Sequence, residues 1–155
     1  MTGEERLIAA LTGRGETIAC AESLTGGLLC DALVQVPGAS RVFMGGIVAY
    51  DEGRKVSLLG VRPETLEKYT AVSEQTAIEM ARGARERLGT DYALSTTGYA
   101  GPDGAQVGQV FVALAHADGV TCRPCLFIGS REEIRRQAVQ AALGLILLHL
   151  NINNI

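Results

Sequence analysis

The 155-residue chain has little histidine, no excess of positive charge and no long apolar run. Its 14 Lys and Arg stand against 17 Asp and Glu, for a net charge of -3. That balance offers no basic surface for a nucleic acid. The apolar stretches fall short of the roughly 20 residues that cross a bilayer, so no membrane partner is expected. The N-terminal stretch Met1-Thr2-Gly3-Glu4-Glu5-Arg6 is acidic and has no signal-peptide core, so a cytoplasmic location is expected. The two histidines, His116 and His149, lie outside the glycine-rich loops, which leaves a Ser-His-Asp triad unsupported. Cys122-Arg123-Pro124-Cys125 has neither a second C-x-x-C nor a nearby histidine pair, and in a strand its two thiols would face opposite sides. No metal site is expected. Cys20 and Cys30 sit in apolar surroundings and read as buried thiols. Internal repeats and linkers are also missing.

What is present is a hydrophobic content of 47% with 20% charged residues, the balance of a globular protein. One domain over residues 1–155 is expected. The chain is organised around Ala21-Glu22-Ser23-Leu24-Thr25-Gly26-Gly27. An apolar run, Thr17 to Ala21, leads in, and a helix-like run, Leu28 to Val36, leads out. A strand that stops at a turn and opens a helix aims unpaired N–H groups at one point, which suits an anion or a developing oxyanion. Ser23 is placed to attack something held there. The same serine would also serve as a plain N-cap.

Apolar spacing predicts helices over 4–11, 28–36, 51–59 and 63–69, one from Ser73 to Gly89, and a long one over 131–150. Strands are predicted over 17–21, 41–50, 92–97, 108–115 and 120–128, with Asp118-Gly119 as a hairpin turn. Pro124 places the last strand at a sheet edge. Gly45-Gly46 suggests a bulge or a ligand lying close to the backbone. The end of the last helix (Leu143, Leu145, Ile146, Leu147, Leu148, Leu150) is apolar nearly all round and suggests a homodimer or larger homo-oligomer. Asn151 to Ile155 reads as a fraying end. The pattern is α/β: a three-layer sandwich, a mixed central sheet with helices on both faces and an antiparallel hairpin at one edge. Two hydroxyl and glycine loops, Ser23 to Gly27 and Thr96 to Gly104, each follow a strand and would face one cleft.

A serine nucleophile needs a base, and lysine can serve where its surroundings lower its pKa. Lys55, on a short helix after the glycine-bearing strand, is the candidate, with Tyr50 placed to relay or orient the proton. The alternative for Lys55 is a solvated surface amine.

These residues carry a resemblance. Ala21 to Gly27, then Gly45-Gly46-Ile47-Val48-Ala49-Tyr50 with Lys55, resemble the CinA C-terminal domain, the nicotinamide mononucleotide deamidase family. Leu58-Leu59-Gly60-Val61, Ala71-Val72-Ser73-Glu74, Thr97-Gly98-Tyr99-Ala100-Gly101-Pro102-Asp103-Gly104, Val107 to Ala113 and Arg131 to Ala138 follow in the same order. The resemblance implies hydrolysis of the carboxamide of nicotinamide mononucleotide to nicotinate mononucleotide and ammonia. Ser23 would be the nucleophile and Lys55 its base, with Tyr50 assisting. N–H groups around Thr25, Gly26 and Gly27 would stabilise the oxyanion. Gly46, Thr97, Gly98 and Gly101 would let backbone approach a pyridine mononucleotide, and Arg131 or Arg135 would pair with its phosphate. No cofactor is expected. The alternative is a nucleotide-binding module of the same fold with weak or no catalysis.

The chain also departs from the family pattern. Leu24 stands where the family commonly has Cys, and Gly129-Ser130-Arg131 where it has Gly-Asp-Arg. Glu52 replaces an asparagine, and a carboxylate there favours a protonated Lys55. After Gly104 only Ala105-Gln106 precede Val107-Gly108, where family members carry a longer loop.

Overall fold

A computed structural model describes residues 1–152. Of the expected fraying end, residues 153–155 lie outside the described residues. Helix α1 (Gly3–Arg14) is followed by strand β1 (Ile18–Glu22), helix α2 (Leu28–Val34), strand β2 (Phe43–Val48) and helices α3 (Glu52–Leu59), α4 (Pro63–Tyr69) and α5 (Glu74–Leu88). Strands β3 (Tyr92–Gly98), β4 (Gln109–His116) and β5 (Gly119–Leu126) and helix α6 (Arg131–His149) complete the chain. A short 3-10 helix, Ala39–Arg41, is not predicted and takes up Arg41, the expected first residue of β2, which starts at Phe43.

The five strands form one sheet in the order β2-β1-β3-β4-β5. β1 pairs in parallel with both β2 and β3, whereas β3, β4 and β5 run antiparallel. This is the mixed α/β sheet with a terminal hairpin that the pattern predicts. The expected bulge is also there. Ile18 pairs with Phe43 and Ala19 with Gly45, so Met44 is the extra residue.

Side-chain alternation along β1 decides which layer lies on which face. Ile18 and Cys20 join the cluster built with Leu7 of α1, Leu29 and Leu33 of α2, and Ile134 and Leu143 of α6. Ala19 and Ala21 turn the other way, toward Met80 and Ala84 of α5. With helices on both faces, every residue of β1 is buried. The face under α5 is paved with alanines, Ala93, Ala113 and Ala115 among them, and Ala77 and Ala81 of the helix meet them. Small residues on both sides let the helix approach closely. Gly83 is the extreme case: a Cβ there would sit 1.8 Å from the Leu59 carbonyl oxygen. α6 obtains its cover from its own chain. Leu143, Leu145, Ile146, Leu147 and Leu150 are buried in the cluster with α1, α2 and the sheet, and Leu148 is the member left outside.

Because β1, β2 and β3 are parallel, their carboxyl ends open at one edge of the sheet. Ser23, Ala49 to Lys55 and Gly98 to Gly101 all follow those ends. Ligands of open α/β sheets collect there.

Candidate active site

Ser23 continues the alternation of Ala19 and Ala21, so it turns toward the α5 side, the side from which α3 descends. Asp51 caps α3 by accepting from the Arg54 N–H at 2.8 Å, which fixes where the helix starts. Lys55, one turn in, is thereby directed back under the end of β2. Its Nζ lies 2.9 Å from Ser23 Oγ, although 32 residues separate the two in the chain. The same Nζ lies 3.0 Å from the Ala49 carbonyl oxygen and 3.4 Å from that of Tyr50. Lys55 is 2% exposed and Ser23 is 7% exposed. Burial pushes the Lys55 amine below its ordinary value of 10.5, while the carboxylates of Asp51 and Glu52 pull it part of the way back.

Three oxygen atoms surround Nζ: the Ser23 hydroxyl and the two backbone carbonyls. A neutral amine has two hydrogens and one lone pair. With the amine neutral, the two backbone carbonyls would accept those hydrogens and the lone pair would face the Ser23 hydroxyl. Ser23 is held in turn by its own N–H, which donates to the Thr96 carbonyl oxygen at 3.1 Å.

The pair forms the floor of a cavity of about 380 Å³. Thr97, Gly98 and Gly101 line it as predicted, and Leu24, Ala71, Val72, Tyr99, Ala100 and Asp103 line it without having been singled out. Arg131 stands at its mouth, donating to the Gly101 carbonyl oxygen and, at 3.1 Å, to the Tyr50 hydroxyl. Tyr50 is 62% exposed, and its hydrogen bond with Lys55 is made by its carbonyl, not its phenol. A larger hollow of about 570 Å³ lies between α1, α2 and α6, but it contains no nucleophile and base pair.

Other predicted residues lie elsewhere. Thr25 is fully buried, and its hydroxyl meets that of Thr96 at 2.8 Å. The Gly26 N–H donates to the Ser23 carbonyl oxygen. The Gly27 N–H is taken by Glu22, which also accepts from Leu29 and Cys30, so the start of α2 is closed by a side chain of this protein. Gly46 faces Cys30, whose Sγ would lie 2.2 Å from an added Cβ. Arg135 donates to the carbonyl oxygens of Leu24 and Thr25 at 2.8 and 2.9 Å and does not reach the cavity. Among the described residues no cluster of His, Cys, Asp and Glu suits a metal ion.

The profile of the CinA C-terminal domain family matches residues 2–150. The chain belongs to that family. Among CinA-family relatives, the CinA-like protein of Kosmotoga olearia is 47% identical over 148 residues, which is 92% of this chain and 36% of the relative. The curated relatives are longer proteins, and this CinA domain spans only 32% to 36% of them. Solved CinA structures match over nearly their whole length. Competence/damage inducible protein CihA from Agrobacterium tumefaciens superposes with a TM-score of 0.92 at 38% identity, covering 94% of this chain and 92% of that one. The competence damage-inducible protein A of Klebsiella pneumoniae gives 0.93 at 32% identity, covering 97% and 98%.

Proposed function

We propose that this CinA domain is an amidohydrolase that converts nicotinamide mononucleotide to nicotinate mononucleotide and ammonia, with Ser23 as nucleophile and Lys55 as base. The observation that carries the reading is the 2.9 Å approach of the buried Lys55 Nζ to Ser23 Oγ at the floor of a cavity. The Ser23 hydroxyl passes its proton to Nζ as Oγ attacks the carboxamide carbon. The tetrahedral intermediate collapses as the Lys55 ammonium returns that proton to the departing nitrogen, because unprotonated amide is a poor leaving group. Ammonia leaves and an ester on Ser23 remains. Water then attacks the ester with Lys55 again as base, releasing the carboxylate and restoring the hydroxyl.

Arg131, exposed at the mouth, is the cation for the ribose phosphate. Arg135 is already committed to two carbonyls and does not serve there. The Gly98 to Gly101 backbone lies along the wall where the ribose would rest.

The test is ammonia release from nicotinamide mononucleotide by the purified chain, with nicotinate mononucleotide identified by chromatography. Ser23→Ala should abolish turnover while still binding the mononucleotide. Normal turnover by that variant would remove Ser23 from the mechanism. Binding without ammonia by the unmodified chain would mark a nucleotide-binding module instead.

A further inference from the structure

The turn that carries Ser23 is held from two sides by side chains outside the cavity. Its backbone groups can be followed one at a time. On the donor side, the Ser23 N–H goes to Thr96, Gly26 to Ser23 and Leu28 to Thr25. Gly27 and Leu29 donate to Glu22 Oε1 at 3.2 and 2.9 Å, and Cys30 donates to Glu22 Oε2 at 2.9 Å. On the acceptor side, Arg135 Nε donates to the Leu24 carbonyl oxygen and Nη2 to that of Thr25. The N–H groups of Leu24 and Thr25 have no partner among the described residues, and of the two residues only Leu24 lines the cavity beside Ser23.

Glu22 is fully buried. A buried carboxylate is costly unless hydrogen bonds compensate it, and an asparagine or serine would cap a helix without that cost. Here the carboxylate spans the start of α2 with both oxygens and ties the helix to the strand residue that precedes the nucleophile. Arg135 contributes a planar fork that meets two successive carbonyls at once, a geometry that a lysine ammonium does not reproduce. We propose that Glu22 and Arg135 are positioning residues that clamp the Ser23–Gly27 turn so that the Leu24 N–H is the donor to the oxyanion formed on Ser23. The proposal rests on Ser23 being the nucleophile.

A serine-directed fluorophosphonate tests both without depending on the natural substrate. Ser23 Oγ displaces fluoride at phosphorus, forming the O–P bond, and its proton goes to Lys55. Labelling is read by intact mass, and its rate is followed against pH in the wild-type chain and in Glu22→Gln, Arg135→Met and Arg135→Lys. A misplacement of about 1 Å costs on the order of 100-fold. The expected result for Glu22→Gln and Arg135→Met is a plateau rate lowered about 10- to 100-fold with an unchanged pH midpoint, because Lys55 is untouched. Arg135→Lys should recover only part of the loss. Should Glu22→Gln fail to fold, the half-buried Arg135 on α6 carries the test. Folded variants that label at the wild-type rate would overturn the clamp alone, as would a shifted midpoint with an unchanged plateau, which means action through Lys55. A wild-type chain that is not labelled at Ser23 would overturn the nucleophile and the clamp together.

Discussion

Replacing Lys55 by methionine separates the chemistry of the amine from its place in the packing. Methionine keeps an unbranched stem of similar length and fills irregular space. It removes the group 2.9 Å from Ser23 Oγ and the donor to the Ala49 and Tyr50 carbonyl oxygens. Loss of a general base lowers rates by about 10²–10⁴, so kcat for ammonia release should fall at least about 100-fold with KM little changed. Stability has two opposing parts. Each buried carbonyl left without a donor costs about 1–3 kcal/mol. Relief of a desolvated ammonium returns several kcal/mol, but only where the amine is charged in the folded protein. Burial lowers the Lys55 pKa from 10.5, so the folded chain releases this proton before the unfolded chain does. Between the folded value and 10.5 the unfolded chain binds more protons, and wild-type stability rises with pH. Below the folded value both states carry the proton and the penalty is fully present. The variant lacks this slope. Urea unfolding of both proteins across neutral to alkaline pH should therefore show the wild type gaining on Lys55→Met, while its rate profile rises through the same window. Parallel stability curves, or a rate midpoint at or above 10.5, would refute the buried neutral amine.

Three further outcomes are expected. Arg131→Ala should raise KM for a substrate bearing a phosphate by about 10- to 100-fold, the value of a charge-assisted hydrogen bond, and leave the corresponding nucleoside unaffected; equal effects on both would remove Arg131 from phosphate binding. Gly83→Ala places a Cβ 1.8 Å from the Leu59 carbonyl oxygen and must part α3 from α5, so it should destabilise by at least about 1–3 kcal/mol; an unchanged thermal midpoint would contradict that contact. His116 stacks on His149 at 4.4 Å, and burial, His149 and Arg85 lower its pKa below 6.5 against the pull of Asp118. The unfolded chain then takes the proton first, stability falls as pH drops through 6.5 and below, and His116→Gln should flatten that fall in acid unfolding curves.

Most of the framework could be read from local chemistry. Pro63 at the first helical position marks α4 to the residue, and the Asp118-Gly119 turn gives the β4–β5 hairpin. The Gly45-Gly46 pair marks a bulge in β2, and Cys30 packs where a Cβ on Gly46 would stand. Periodicity alone does not show what covers α6: α1, α2 and the sheet close over its apolar end apart from Leu148, which spacing along one helix cannot reveal. At the site, the Ser23 and Lys55 pairing follows from parallel strands ending side by side. The role of Glu22 was not legible. A glutamate ending an apolar strand reads as the first solvated residue, whereas it turns inward and closes α2. That closure takes the Gly27 N–H, and the turn itself takes that of Gly26, away from the oxyanion duty that the glycines there suggest.

The strand order has a thermal consequence. β2 is the outermost ribbon on its side, paired with β1 alone, and the Ala49 and Tyr50 carbonyls that tether the Lys55 amine follow directly on its end. Fraying of that one border would withdraw the proton acceptor while Ser23, anchored through β1 and β3 in the interior, stays where it is. Heat should therefore silence the dyad before the rest of the molecule melts, and a brace across β2 would lengthen the working life of the site more than it raises the melting point.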